Sequence, residues 1–215
     1  MIKLSTIQKK QIVGITGLAM VGFVIAHLSG NFLIYSGPKA FNDYADFLHS
    51  LGMLLWVMRL GILASFVVHI GFTINLSITN KRARKNRYYK YQNHRSESSL
   101  ATKLMPLSGT IILIYIIFHL LDFTLAEKVG LINGADLGLY GLVINTLKDP
   151  IHALLYIFAM ISVGLHMYHA FQSVFQTFGL MSQTNMNRLV LASKALGIAI
   201  TLGFSSIPVY IMINF

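Results

Sequence analysis

The chain contains five apolar runs, each long enough to cross a lipid bilayer, and no other feature restricts its fold as severely. A helix needs about 20 apolar residues to traverse the hydrocarbon core. The runs occupy 11–35, 52–79, 104–125, 151–180 and 189–215, with only short connections between them. Lipid offers no partner to a free backbone N–H or C=O, so runs of this length predict helices that satisfy their own backbones. The expected fold is an all-α membrane protein of five transmembrane helices in one domain, 1–215. The first run is too long for the apolar core of a secretory leader and lacks a following small-residue cleavage site, so it reads as a retained span.

Charge orients the spans. The formal net charge is +10, from 17 Lys and Arg against 7 Asp and Glu. Such a balance in water would suggest nucleic acid. Here the excess is concentrated in KRARKNRYYKYQNHRSESSLATK, between the second and third runs, and in Lys3, Lys9 and Lys10. Short basic connections stay on the cytoplasmic side, so the N-terminus is expected in the cytoplasm and no nucleic-acid partner is expected. The connections 36–51 and 127–150 hold Asp43, Asp46, Glu127, Asp136 and Asp149 and would face outward with the C-terminus.

The chain has no cysteine, which excludes disulfides, thiolate metal sites, cysteine-ligated iron–sulfur clusters and c-type haem attachment. What remains for chemistry inside the membrane is histidine. His27, His69, His119 and His166 fall one in each of the first four runs. At about 1.5 Å rise per residue, His27 and His119 lie about 24 and 22 Å along outward-running spans. His69 and His166 lie about 22 to 26 Å along inward-running spans. The four therefore sort into an outer pair on the first and third spans and an inner pair on the second and fourth.

Neutral imidazole is a good ligand for haem iron, and two axial ligands leave no open position for oxygen. Two such pairs predict two b-type haems enclosed by the first four helices, an electron carrier rather than an oxygen activator. A lone intramembrane histidine is as often an interhelical hydrogen-bond residue, and it is the sorting into two layers that favours ligation. His169 competes with His166, since residues three apart share a helix face. His49, His94 and His152 lie at or beyond span ends and read as interfacial. Gly30 and Gly164 stand near His27 and His166, where a small residue lets a flat ring approach the backbone. Arg59 lies about 10 Å below the outer end of its span. A buried guanidinium needs a partner, so it should meet haem propionates or Asp122. Lys194 near the start of the fifth span reads as snorkelling or as a partner for an inner propionate.

The segments TGLAMVGFVIAHLSGN (16–31), GPKAFNDYADFLHS (37–50) and GLHMYHAFQSVFQTFGL (164–180) together resemble the cytochrome b membrane subunit of succinate:quinone oxidoreductases, of the five-helix, dihaem b558 type. The resemblance covers nearly the whole chain. It implies axial ligands at His27, His119, His69 and His166, pairing first with third and second with fourth, and it favours His166 over His169. It further implies a bacterial inner-membrane complex with a flavoprotein that interconverts succinate and fumarate and an iron–sulfur subunit docked on the basic cytoplasmic face. A membrane quinone, menaquinone, would exchange electrons with it. Some members that use menaquinol carry a glutamate two residues before the fourth-helix ligand, and here that position is Gly164. An outer quinone-site base would have to be Asp43, Asp46 or His49. The other readings are the cytochrome b anchor of a formate dehydrogenase or hydrogenase, and a haem-free transporter relaying protons through histidines.

Overall fold

The computed structural model describes residues 4–83, 98–127 and 129–215. Lys3, His94 and most of the basic connection lie outside the described residues. The helices are α1 (Thr6–Asn31), α2 (Pro38–Ser50), α3 (Met53–Ala83), α4 (Ser98–Phe123), α5 (Gly138–Leu147), α6 (Pro150–Thr177) and α7 (Met186–Asn214), with a hairpin of β1 (Leu131–Ile132) and β2 (Ala135–Asp136) before α5. Five of these, α1, α3, α4, α6 and α7, are long and apolar enough to cross a membrane. The protein is a multi-pass membrane protein.

Local chemistry sets the helix ends. Ser5 and Gln8 form a capping box that satisfies two backbone donors where α1 begins. A short 3-10 stretch, Phe32–Ser36, then tightens the chain into Gly37 at φ 90, after which Pro38 opens α2. The Asp149 carboxylate caps α6 by accepting the His152 N–H, with Pro150 in the first turn. Pro106 lies inside α4, which already begins at Ser98, upstream of the apolar run that the sequence marks from Leu104. Likewise α7 starts at Met186, three residues before its apolar run.

The helices are not equivalent. In the most apolar window of α3 none of the residues is buried (0%), against 44% for α6, so α6 is central and α3 peripheral. α6 packs on α7, α4 and α1, while α3 packs on α1. The fifth span is thus part of the packed unit, lying against α6 and α1. At the α6–α7 crossing Gly164 faces Gly197 and Thr201, and a Cβ at Gly164 would overlap Thr201 Oγ1 and lie 2.6 Å from Gly197 O. Small residues at this crossing let the two backbones approach closely, the means by which helices associate in lipid. The many exposed Leu, Ile, Val and Phe side chains suit a bilayer as solvent.

At the end of the bundle opposite the start of α1, the two acidic connections are built structures. Phe41, Tyr44, Ala45 and Leu48 recur at helical spacing along α2 and turn inward. The hairpin turns through Asn133 at φ 51 and Gly134 at φ 81, a pair suited to its two-residue loop. The Asn42 amide locks α2 to α5: its Oδ1 accepts the Tyr140 N–H at 3.0 Å, and its Nδ2 donates to Leu137 O at 2.9 Å. α2 and α5 together roof this end of the bundle.

A candidate two-layer histidine site

The four histidines occupy two levels. Toward the roofed end, His27 of α1 and His119 of α4 face each other with ring centroids 5.8 Å apart and planes at 88°. Toward the end where α1 begins, His69 of α3 lies against Val13, Thr16 and Gly17 of α1. At the same level His166 of α6 lies against Ser108 and Gly109 of α4. Gly17 precedes His27 by ten residues and Gly109 precedes His119 by ten, so the layers are about 15 Å apart along the bundle. The far layer is the pair expected outermost, and the near layer is the other expected pair.

Far-layer geometry suits a metal held between two imidazoles. Two nitrogens each about 2 Å from a first-row ion put their ring centroids about 6 Å apart. A cavity of about 320 Å³ adjoins both rings and is lined further by Tyr44, His49, Arg59, Tyr156 and Phe204. Among the described residues no three His, Asp or Glu side chains converge, so a bare ion would be left undercoordinated. Haem needs only two axial ligands, because its porphyrin supplies the other four. The donor set and the cavity therefore fit haem better than a free ion.

Aromatic rings hold the far layer. Phe23 stacks on His27 at 5.4 Å and 12°, and Phe204 tilts against its ring at 5.9 Å. Tyr115, Phe123 and Tyr156 surround His119. The only hydrogen bond to either far ring among the described residues is between Tyr115 OH and His119 Nδ1, a long 3.4 Å. In the near layer hydrogen bonds replace rings. His69 Nδ1 lies 3.1 Å from Val13 O and 3.3 Å from Thr16 Oγ1. His166 Nδ1 lies 3.1 Å from Ser108 Oγ. In His169 it is Nε2 that is engaged, 3.2 Å from Ser173 Oγ one turn along its own helix.

Several expected contacts resolve differently. Asp122 accepts from Tyr156 OH at 2.7 Å, and the ion pairs among the described residues are Lys39–Asp43 and Asp149–His152, so Arg59 and Asp122 are not joined. Arg59 instead lies over Trp56 at 5.4 Å and lines the far cavity. Gly30 makes room for Tyr44 of α2, whose ring lies 2.5 Å from where a Cβ would stand. Gly164 faces α7 and not the histidines. The glycines beside histidine rings are Gly17 and Gly109, where a Cβ would stand 3.4 Å from His69 Cε1 and 3.5 Å from His166 Cε1. His152 is interfacial as expected, bonded to the Asp149 cap at 3.0 Å, whereas His49 lines the cavity.

Outside the spans, backbone donors set the acidic groups. The N–H groups of Gly138 and Gly130 hold the Asp136 carboxyl below its usual range, and the His152 backbone and side chain do the same for Asp149. Sequence reasoning passed over Thr16, Ser108, Asn42, Tyr44, Tyr115 and Tyr156. One signal was present for the first two: a hydroxyl residue stands eleven residues ahead of each far histidine and is followed by a glycine, as Thr16-Gly17 and as Ser108-Gly109. No protein-family model, no curated protein and no solved structure matches the chain.

Proposed function

We propose that the chain is the dihaem cytochrome b anchor of a succinate:quinone oxidoreductase, passing electrons between an iron–sulfur subunit and a membrane quinone, menaquinone by the family resemblance. The observation that carries the reading is the arrangement of four intramembrane histidines as two pairs about 15 Å apart along one bundle. Haem bound by His27 with His119 and by His69 with His166 would supply reversible one-electron exchange.

The chain's own residues do the rest. With haem bound, His27 and His119 in one layer and His69 and His166 in the other would hold it and leave no open position for oxygen. The apolar helices and the α2–α5 roof exclude water and lower the local dielectric. Arg59 brings a cation to the far cavity, where carboxylates such as haem propionates would find a partner in low dielectric. Gly164 has no space for the glutamate that some relatives of this type carry, because α7 occupies it. Any proton accompanying electron transfer must therefore use other groups. Asp122 and Tyr156, hydrogen-bonded to each other beside His119, offer one such pair in the far layer.

In this reading the basic N-terminus and the basic connection face the cytoplasm across a bacterial inner membrane, and the iron–sulfur subunit docks on that side. Purification of the chain from its native membrane tests this reading. Co-purification of a flavoprotein with covalently bound flavin, an iron–sulfur subunit and succinate-dependent quinone reduction is the expected result. A molybdenum or nickel subunit in their place, or a chain with no haem, would refute it.

A further inference from the structure

The near histidines are both engaged through Nδ1, and for His69 the partner determines which ring nitrogen carries the proton. A hydroxyl has a single hydrogen to donate. Thr16 directs its own to the helix, with Ile12 O at 2.8 Å and Val13 O at 3.2 Å, and Ser108 directs its own to Met105 O at 3.1 Å. Thr16 Oγ1, closer to Ile12 O than to His69, meets the facing histidine as an acceptor, and Ser108 Oγ, equidistant from Met105 O and His166 Nδ1, does so when its hydrogen stays on Met105 O. Val13 O, a carbonyl, accepts only. His69 Nδ1 must then be a donor, and in a neutral imidazole its lone pair falls to Nε2; His166 Nδ1 donates in the same way when Ser108 keeps its hydrogen on Met105 O. Among the described residues no hydrogen bond involves either Nε2.

The same device occurs twice. In α1 the pair Thr16-Gly17 serves the histidine of the following span α3, and in α4 Ser108-Gly109 serves the histidine of the following span α6. In each case the glycine leaves room for the ring and the hydroxyl beside it lies within hydrogen-bond distance of Nδ1. The glycine of each pair stands ten residues before the far histidine of its own helix, so one helix supplies a ligand to one layer and the holder of a ligand to the other. Among the described residues the far layer has no counterpart: the Tyr115 phenol can donate or accept, and at 3.4 Å it orients His119 weakly.

We propose that Thr16 and Ser108 are positioning residues that fix the near histidines in the Nδ1–H tautomer and present Nε2 of His69 and His166 as a ready ligand pair. This rests on the dihaem reading. An acceptor on Nδ1–H makes an imidazole a stronger electron donor, and loss of such a partner changes metal affinity about tenfold or more. Among the described residues Ser108 is the one hydrogen-bond partner of His166 Nδ1, whereas His69 keeps Val13 O if Thr16 is removed. Ser108 is therefore the more sensitive of the two.

The test is a spectroscopic redox titration of the purified full chain, with the near component identified as the one lost in His166→Ala. Ser108→Ala is expected to disfavour the oxidised state about threefold to tenfold, an upward shift of up to about 59 mV in a one-electron titration, with the far component unmoved. Ser108→Cys, which keeps the packing and offers a poorer acceptor, should move the potential the same way even if the alanine variant fails to accumulate. Ser108→Thr should restore the wild-type value, and Thr16→Val should have the smaller effect. An unchanged near potential in the Ala and Cys variants overturns the proposal, as does a Thr variant that shifts as far as Ala. If the wild-type chain itself holds no haem, the functional reading fails before this one is reached.

Discussion

The near and far histidine layers are built by different means. Near the start of α1, two rings are pinned through Nδ1 by groups on the neighbouring helix: Val13 O and Thr16 for His69, and Ser108 for His166. At the roofed end, His27 and His119 are caged by Phe23, Phe204, Tyr115 and Tyr156 beside an open cavity of about 320 Å³. A hydrogen bond fixes a tautomer and one direction of approach, whereas an aromatic cage fixes ring position and leaves the proton undecided. The near layer is thus specified by local helix chemistry and the far layer by the roof and by α7. Disturbances of the roof should stay in the far layer, and disturbances of Thr16 or Ser108 in the near one.

The largest effect should come from the histidines themselves. His27→Ala or His119→Ala should remove one haem and leave the near component, and His69→Ala or His166→Ala should do the reverse, measured as haem per chain. His169→Ala should leave both, because its Nε2 is turned to Ser173. Loss of both haems from any one substitution would break the independence of the layers. Next is the α6–α7 crossing, which supports both layers through α6. Gly164→Leu should destabilise by about 1–3 kcal/mol or more, read as a lower thermal midpoint in detergent, since Gly197 O and Thr201 fill the space. Gly17→Ala, with its Cβ at an ordinary 3.4 Å from His69 Cε1, should stay within about 0.5 kcal/mol.

Asn42→Ala unlocks α2 from α5 by removing two hydrogen bonds. It should lower the thermal midpoint by the equivalent of about 1–3 kcal/mol and alter only the far component. The smallest effect is one of pH. The Asp136 carboxyl is depressed by its two backbone donors, so its contribution to the roof is present above the unfolded carboxyl range and lost as pH falls through the folded value. In spectra of glycine-labelled protein, the Gly130 and Gly138 amides should shift with acidification in the wild type and not in Asp136→Asn.

The spans were legible in the sequence because hydrocarbon thickness sets a length that polar residues cannot interrupt. The sorting of the histidines was legible because helix rise is a fixed measure: His27 and His119, read as one level, are in ring contact. Which glycines sit beside rings was not legible. Gly30 and Gly164 are close to histidines along the chain but face Tyr44 and α7, while Gly17 and Gly109 are remote in sequence from the rings they accommodate. Such choices depend on helix rotation, and nearly uniform apolarity around α3 and α4 gives no stripe from which to read it. The α2 helix carried its signal in the spacing of Phe41, Tyr44 and Leu48, obscured by an acidic connection that reads first as a loop. Arg59 was placed at the right level, and the Asp122 partner was found only through packing with Tyr156.

The central claim is that these four histidines hold two haems, and a reduced-minus-oxidised optical spectrum of the purified, haem-replete chain, with haem quantified per polypeptide, tests it most directly. Two b-type haems per chain titrating as two components, one lost with His119 and the other with His166, is the result the two-layer site predicts. Absence of b-type absorbance, or a single haem that survives loss of either histidine, would contradict it.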